Sequence, residues 1–158
     1  MLLILTSCVK YLDIFVVEIK KPGFDNSSAT PDKIKTANEE KIMLEMMVTN
    51  KVKKPCVCAL MVNGNRCSTF VLDLVHEAIY SYYELAEFEL MTKMDNVDNY
   101  WKAVESLLHV KAILLEVKKD IISSISAVIN GNAKDDKTKL MEWTRPSFDK
   151  PYKIEDAN

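Results

Sequence analysis

Glu18 and Lys20 are the residues whose types and spacing could do chemistry. They stand two apart in Ile14-Phe15-Val16-Val17-Glu18-Ile19-Lys20, an apolar, β-branched run closed by Pro22-Gly23. Val, Ile and Phe favour a pleated, buried surface and Pro-Gly supplies a stop, so the run reads as a strand. Side chains alternate along a strand, which puts Glu18 and Lys20 on one face and Val17 and Ile19 on the other. Two charges on such a segment conflict with plain core packing, because a buried charge is costly unless paired or bound to a metal. A metal ion or a phosphate is the partner this pair calls for, and local conflicts of this kind are expected at functional sites.

The elements that must position the pair follow in order. Residues 1–10 read as a short apolar strand or an unstructured start. Residues 23–30 form a polar loop, after which Thr30 fits an N-cap, with Pro31 at the first helical position and Asp32 near the positive end of the helix dipole. The helix runs to about Asn50, with Ile34, Ala37, Leu44, Met47 and Val48 at helical spacing and Lys33, Glu40 and Glu45 on other faces. Met43, Met46 and Met47 read as core filling rather than as a ligand-adaptable surface. Lys51-Val52-Lys53-Lys54-Pro55 is a basic connector, which is either a phosphate contact or, more plainly, a solvated loop.

Val57–Val62 is apolar on both faces and reads as a central strand. Asn63-Gly64 supplies the positive φ angles of a hairpin turn. Arg66–Val75 is the return strand and Ala78–Leu90 a third. Tyr80, Tyr82 and Tyr83 on the third could stack bases, but edge-strand packing explains them more cheaply. Asp95 or Asn96 caps a last long helix that Asn130-Gly131 ends. Val97, Trp101, Val104, Leu108, Leu115, Ile122, Ile125 and Ile129 make a stripe along it, and so long a helix kinks near Ser123-Ser124 or extends beyond the sheet. From residue 132 the chain is polar and broken by Pro146 and Pro151, so a disordered tail is expected, with Trp143 and Phe148 docking locally.

At 158 residues and 48% apolar content the chain can bury one core, so one domain over residues 1–131 is expected, followed by the tail. Three glycines and the lack of any G-x-G-x-x-G or G-x-x-x-x-G-K-S/T exclude the glycine-rich nucleotide fingerprints. A net charge of −2 gives no overall basic footprint for nucleic acid, although a groove can be basic within an acidic protein. Cys8, Cys56, Cys58 and Cys67 lack the spacing of a structural zinc site and read as small buried hydrophobes, which suits a reducing, intracellular setting in cytoplasm or nucleus. Met1–Leu5 is too short and lacks the flanks of a signal peptide, and no run reaches 18 apolar residues, so no membrane span is expected.

Val17-Glu18-Ile19-Lys20-Lys21-Pro22 resembles the (D/E)-x-K half-motif of the PD-(D/E)XK nuclease-like superfamily, and more narrowly its lineage-expanded, uncharacterised fungal members. The later matches are Asp32-Lys33-Ile34-Lys35 with Asn38-Glu39-Glu40-Lys41, then Val52-Lys53-Lys54-Pro55, Asn63-Gly64 and Arg66-Cys67. Together they cover about residues 11–129. The resemblance implies an α/β (α+β) fold: a restriction-endonuclease-like mixed sheet with a β-meander and a long C-terminal helix. It also implies that the usual N-terminal elements are missing, as in a truncated copy. An intact relative would carry out magnesium-dependent phosphodiester hydrolysis of DNA or RNA. Glu18 would be the metal carboxylate and Lys20 the lysine that steadies the attacking water, with the Ile19 carbonyl a further ligand. Lys21 and Lys35 would contact nucleic acid.

The departure from the pattern is the first carboxylate. It belongs upstream on a neighbouring strand, and the only upstream acid is Asp13, five residues before Glu18 and so on the opposite face of a continuous strand. A bulge could re-aim it. Glu39 on the following helix is the other candidate ligand, and an exposed helical Glu is its plainer reading. His76 and His109 have no partner at ligand spacing. The resemblance therefore implies a nuclease-like domain with an incomplete catalytic set, an active magnesium-dependent nuclease whose site Asp13 or Glu39 completes, or a non-catalytic binding module on the same scaffold.

Overall fold

The computed structural model describes residues 12–20, 29–92, 97–129 and 143–144. The expected start at 1–10, Cys8, Lys21, the loop up to residue 28, the caps at Asp95, Asn96 and Asn130-Gly131, Phe148 and most of the tail lie outside these residues.

Six elements follow one another: β1 (Phe15–Lys20), α1 (Ala29–Thr49), β2 (Cys56–Asn63), β3 (Arg66–His76), β4 (Ile79–Glu89) and α2 (Val97–Ile129). The four strands form one sheet in the order β1-β2-β3-β4. β1 runs parallel to β2, as a strand joined to its neighbour through a helix must, and β2, β3 and β4 form an antiparallel meander. The mixed sheet, the meander and the long last helix agree with the expected α+β architecture.

Alternation along the strands sends neighbouring residues to different helices. Val57 and Leu72 cluster with Leu44, Met47 and Val48 of α1, a cluster that Val117 and Ile121 of α2 also join, whereas Cys58 and Val71 pack on Val110 of α2. Cys67 and Phe88 pack further along on Ala103. The interior position of β2 explains its apolar residues on both faces.

α1 stops without a glycine. The Val52 amide donates to the Met47 carbonyl and the Lys51 amide to that of Val48, while Lys51 takes a left-handed φ of 63°. This is the Schellman arrangement, and it is closed by contact between buried Met47 and Val52. The β2–β3 turn is Gly64-Asn65 rather than Asn63-Gly64, since Asn63 still pairs with Arg66. Gly64 carries the positive φ of 64° there. The β3–β4 turn places Ala78 at φ 54°, and its amide donates to the carbonyl of Trp143. Trp143 docks on the main core cluster as expected.

Three placements differ from the periodicity. Ile34 is exposed, while Thr36 and Glu40 share the buried face of α1 with Leu44 and Met47. The register runs 36, 40, 44, 47 because Leu44 and Met47 must meet the sheet, and the positions one turn apart follow them inward. On α2 the buried face carries Ala103, Val110, Val117 and Ile121, and the expected stripe of Val97, Trp101, Leu108, Leu115 and Ile122 faces away from the sheet. On β1 the charged face is the half-buried one, and Val17 and Ile19 are exposed. α2 continues unbroken through Ser123-Ser124, where buried Ser124 donates its hydroxyl to the Asp120 carbonyl.

The corrected α1 register has a measurable consequence. Leu44→Ala is expected to cost about 2–5 kcal/mol in urea unfolding, and Ile34→Ala to stay within about 0.5 kcal/mol of the parent. Comparable losses at both positions would reject this register.

Candidate functional site

Glu18 and Lys20 stand at the carboxyl end of β1 on the face that looks toward α1. Register carries that face across the sheet in two rows. Glu18 lies beside Met61, Met61 beside Ser68, and Ser68 beside Glu87. One step on, Lys20 lies beside Asn63, Asn63 beside Arg66, and Arg66 beside Glu89. A β-bulge makes this possible, because Thr69 pairs with Ala86 while Phe70 pairs with Glu84, leaving Leu85 as an extra residue. Beyond the bulge the parity of β4 is reversed, so Glu87 turns to the charged row and Phe88 into the core.

Glu18, Lys20, Asn63, Arg66, Ser68 and Glu87 line a cleft of about 190 Å³, with Lys33 of α1 also on its wall. The first turns of α1 supply the compensating charges that β1 needs. Lys20 pairs with Asp32, both largely buried. Lys35 places its Nζ 3.5 Å from Glu18 Oε1 and 3.9 Å from Glu39 Oε1. Lys33 lies 5.1 Å above the Phe70 ring and 3.6 Å from Glu84, and Arg66 lies 3.1 Å from Glu87. Such exposed pairs each contribute about 0–1 kcal/mol, so these cations can exchange partners at little cost.

The expected residues are distributed as follows. Glu18 and Lys20 share one face and one cleft but take different partners, and each is answered from α1. Asp13 is exposed and precedes β1 at the opposite parity from Glu18, so it does not join the site. Glu39 reaches Glu18 only through the shared Lys35 ammonium. Lys53 and Lys54 are exposed, but they precede β2 and so sit at the other end of the sheet from the cleft. Asp32, Lys33, Arg66, Ser68 and Glu87 join the site although the E-x-K spacing does not point to them. The E-x-K spacing shows which face of β1 is polar, but the partners come from register and from the bulge.

A second polar group lies behind the cleft. Glu40 is fully buried between α1 and the sheet, and neither of its carboxyl oxygens has a hydrogen-bond partner among the described residues. Thr36 Oγ1 and Tyr82 Oη share that condition. Burial, and after it the neighbouring Cys56, pushes the Glu40 carboxyl up to about 8. Burial, with Glu40 and Glu84 adding, also raises the Tyr82 phenol. On β2 the Cys58 thiol hydrogen-bonds to the Cys56 sulfur, which lowers Cys56 and raises Cys58. Cys56, Cys58 and Cys67 are free thiols, and no group of three or more His, Cys, Asp or Glu placed to hold a metal occurs among the described residues.

No protein-family model, no curated protein and no solved structure matches this chain.

The buried carboxyl makes stability depend on pH. The unfolded chain releases the Glu40 proton near 4.5, whereas the folded chain keeps it to about 8. Stability contributed by this group is therefore full below pH 4.5 and declines as pH rises toward 8. The slope approaches about 1.4 kcal/mol per pH unit. Glu40→Gln is expected to flatten that decline and to leave the variant more stable than the parent at pH 8. Parallel curves for the two in urea melts across this range would refute the burial of a neutral Glu40.

Proposed function

We propose that this chain is a PD-(D/E)XK nuclease-like domain with an incomplete catalytic set, whose cleft binds a nucleic-acid backbone without hydrolysing it. One observation carries the reading. The Glu18/Lys20 couple sits at the end of a strand, inside a cleft that also presents Lys33, Arg66, Asn63 and Ser68. Those cations, with Lys35 at the rim, are the side chains that neutralise phosphates, and Ser68 and Asn63 add neutral donors.

The donor set does not fit magnesium. A hard divalent cation takes carboxylate and carbonyl oxygens. The positions beside Glu18 and Lys20 on the neighbouring strand are Met61 and Asn63, so no second carboxylate faces Glu18 from there. The other acids of the site are each held by a cation: Asp32 by Lys20, Glu87 by Arg66, and Glu39 by the Lys35 ammonium it shares with Glu18. An intact relative would supply a carboxylate there and cleave the phosphodiester with metal. This chain keeps the scaffold and the basic groups, which makes it a binding module.

Binding is expected to be weak and salt-sensitive, because each cation already has a carboxylate neighbour and the chain carries a net charge of −2. Free thiols suit an intracellular setting, cytoplasm or nucleus. No helix among the described residues is long and apolar enough to cross a membrane.

Fluorescence anisotropy with labelled DNA and RNA oligonucleotides at low salt tests the reading. Lys33→Ala and Arg66→Ala are each expected to weaken binding several-fold, and raising the salt to abolish it. A plasmid-nicking assay with magnesium is expected to show no cleavage that depends on Glu18. Cleavage lost in Glu18→Ala and Lys20→Ala would make the chain an active nuclease. Absence of binding to either nucleic acid would remove the binding role.

A further inference from the structure

The solvent face of α2 is built for another helix. At 33 residues it is about 50 Å long, and one side of it is spent on the sheet through Ala103, Val110, Val117 and Ile121. On the far side Trp101, Leu108, Leu115 and Ile122 recur at every seventh residue and are 63, 56, 46 and 47% exposed. A helix apolar on two opposite faces has a second surface to bury. Strict seven-residue recurrence is the spacing that keeps one stripe in register with a second helix running alongside.

We propose that two copies of this chain associate through α2, antiparallel about a two-fold axis beside Ala112. The pairing is self-complementary. In this register Leu108 faces Leu115 of the second copy and Trp101 faces its Ile122, so all four positions of the stripe are filled by the same four positions. The charges on one flank agree with it, since Glu105 comes to lie beside Lys119 of the second copy, twice by symmetry. Ala112 meets its own counterpart on the axis, where a small side chain lets the helices approach. Lys111 on the other flank also meets its counterpart, and its long stem carries the ammonium outward into water. Glu105, Lys111, Ala112 and Lys119 are all exposed, as the pairing requires.

The area is of the right size. The four stripe residues, with Val97 one turn before Trp101 and the exposed flanking Glu105, Lys111, Ala112 and Lys119, offer accessible surface on the order of the ~800 Å² per partner that a specific dimer buries. The inference does not depend on the nucleic-acid reading, because the cleft lies on the opposite face of the sheet.

Sedimentation equilibrium of the full chain is expected to give a reversible dimer. Leu108→Asp is expected to raise the dissociation constant at least about tenfold with an unchanged circular-dichroism spectrum, since Leu108 belongs to none of the core clusters. Glu105→Lys should weaken the dimer, and adding Lys119→Glu to the same chain should restore it. Ala112→Cys should form a disulfide-linked dimer under mild oxidation that the parent does not form. A chain that stays monomeric at every concentration overturns the proposal. So does a dimer indifferent to Leu108→Asp, or an Ala112→Cys variant that does not cross-link while the parent dimerises.

Discussion

The ion pairs between β1 and the first turns of α1 are the constraint on which the site depends. An edge strand that carries Glu18 and Lys20 on its half-buried face needs opposite charges facing it, and α1 supplies Lys35 and Asp32. The rotation of α1 is the one that Leu44, Met47 and Val48 set by meeting the sheet, and it turns the charged residues of the first two turns toward β1. The same rotation carries Glu40 inward, where neither carboxyl oxygen has a hydrogen-bond partner among the described residues. A polar entrance and an apolar interior on one helix face thus have a single geometric cause.

The cleft is the product of strand ends and one bulge acting together. β1 and β2 both end at the charged rows, and β4 would present the wrong parity there without the extra residue at Leu85. The bulge reverses it, so Glu87 answers Arg66 in the cleft while Phe88 packs against Cys67 and Ala103. The pairing of acids and bases across this surface leaves it near neutrality. Its chemistry is therefore that of exchangeable salt links rather than of a fixed basic track.

Much of the fold was legible because periodicity and turn chemistry agreed. The strand over residues 15–20, its break before α1, the hairpins and the bounds of α2 all follow from β-branched runs, Gly64 and a long apolar helix. The hairpin turn moved by one residue because Asn63 still had a ladder partner in Arg66. The long helix was harder. Two seven-residue stripes run along α2, one with Trp101, Leu108, Leu115 and Ile122 and one with Ala103, Val110 and Val117, and the bulkier stripe attracts a reading from composition. The sheet took the smaller one, since Ala103 and the valines allow close approach over Cys67, Phe88 and Val71.

By itself, the sequence determined that Glu18 and Lys20 share one side of an early strand, because alternation is a property of the local backbone. It also determined that a helix with charged first turns follows that strand. Only the tertiary structure decided which charges meet them, that Met61 and Asn63 are their neighbours on β2, and that Glu40 rather than Glu39 is buried. Those outcomes depend on register between strands, on a bulge and on helix rotation. Each is set by contacts between residues far apart in the chain, and no local pattern encodes them.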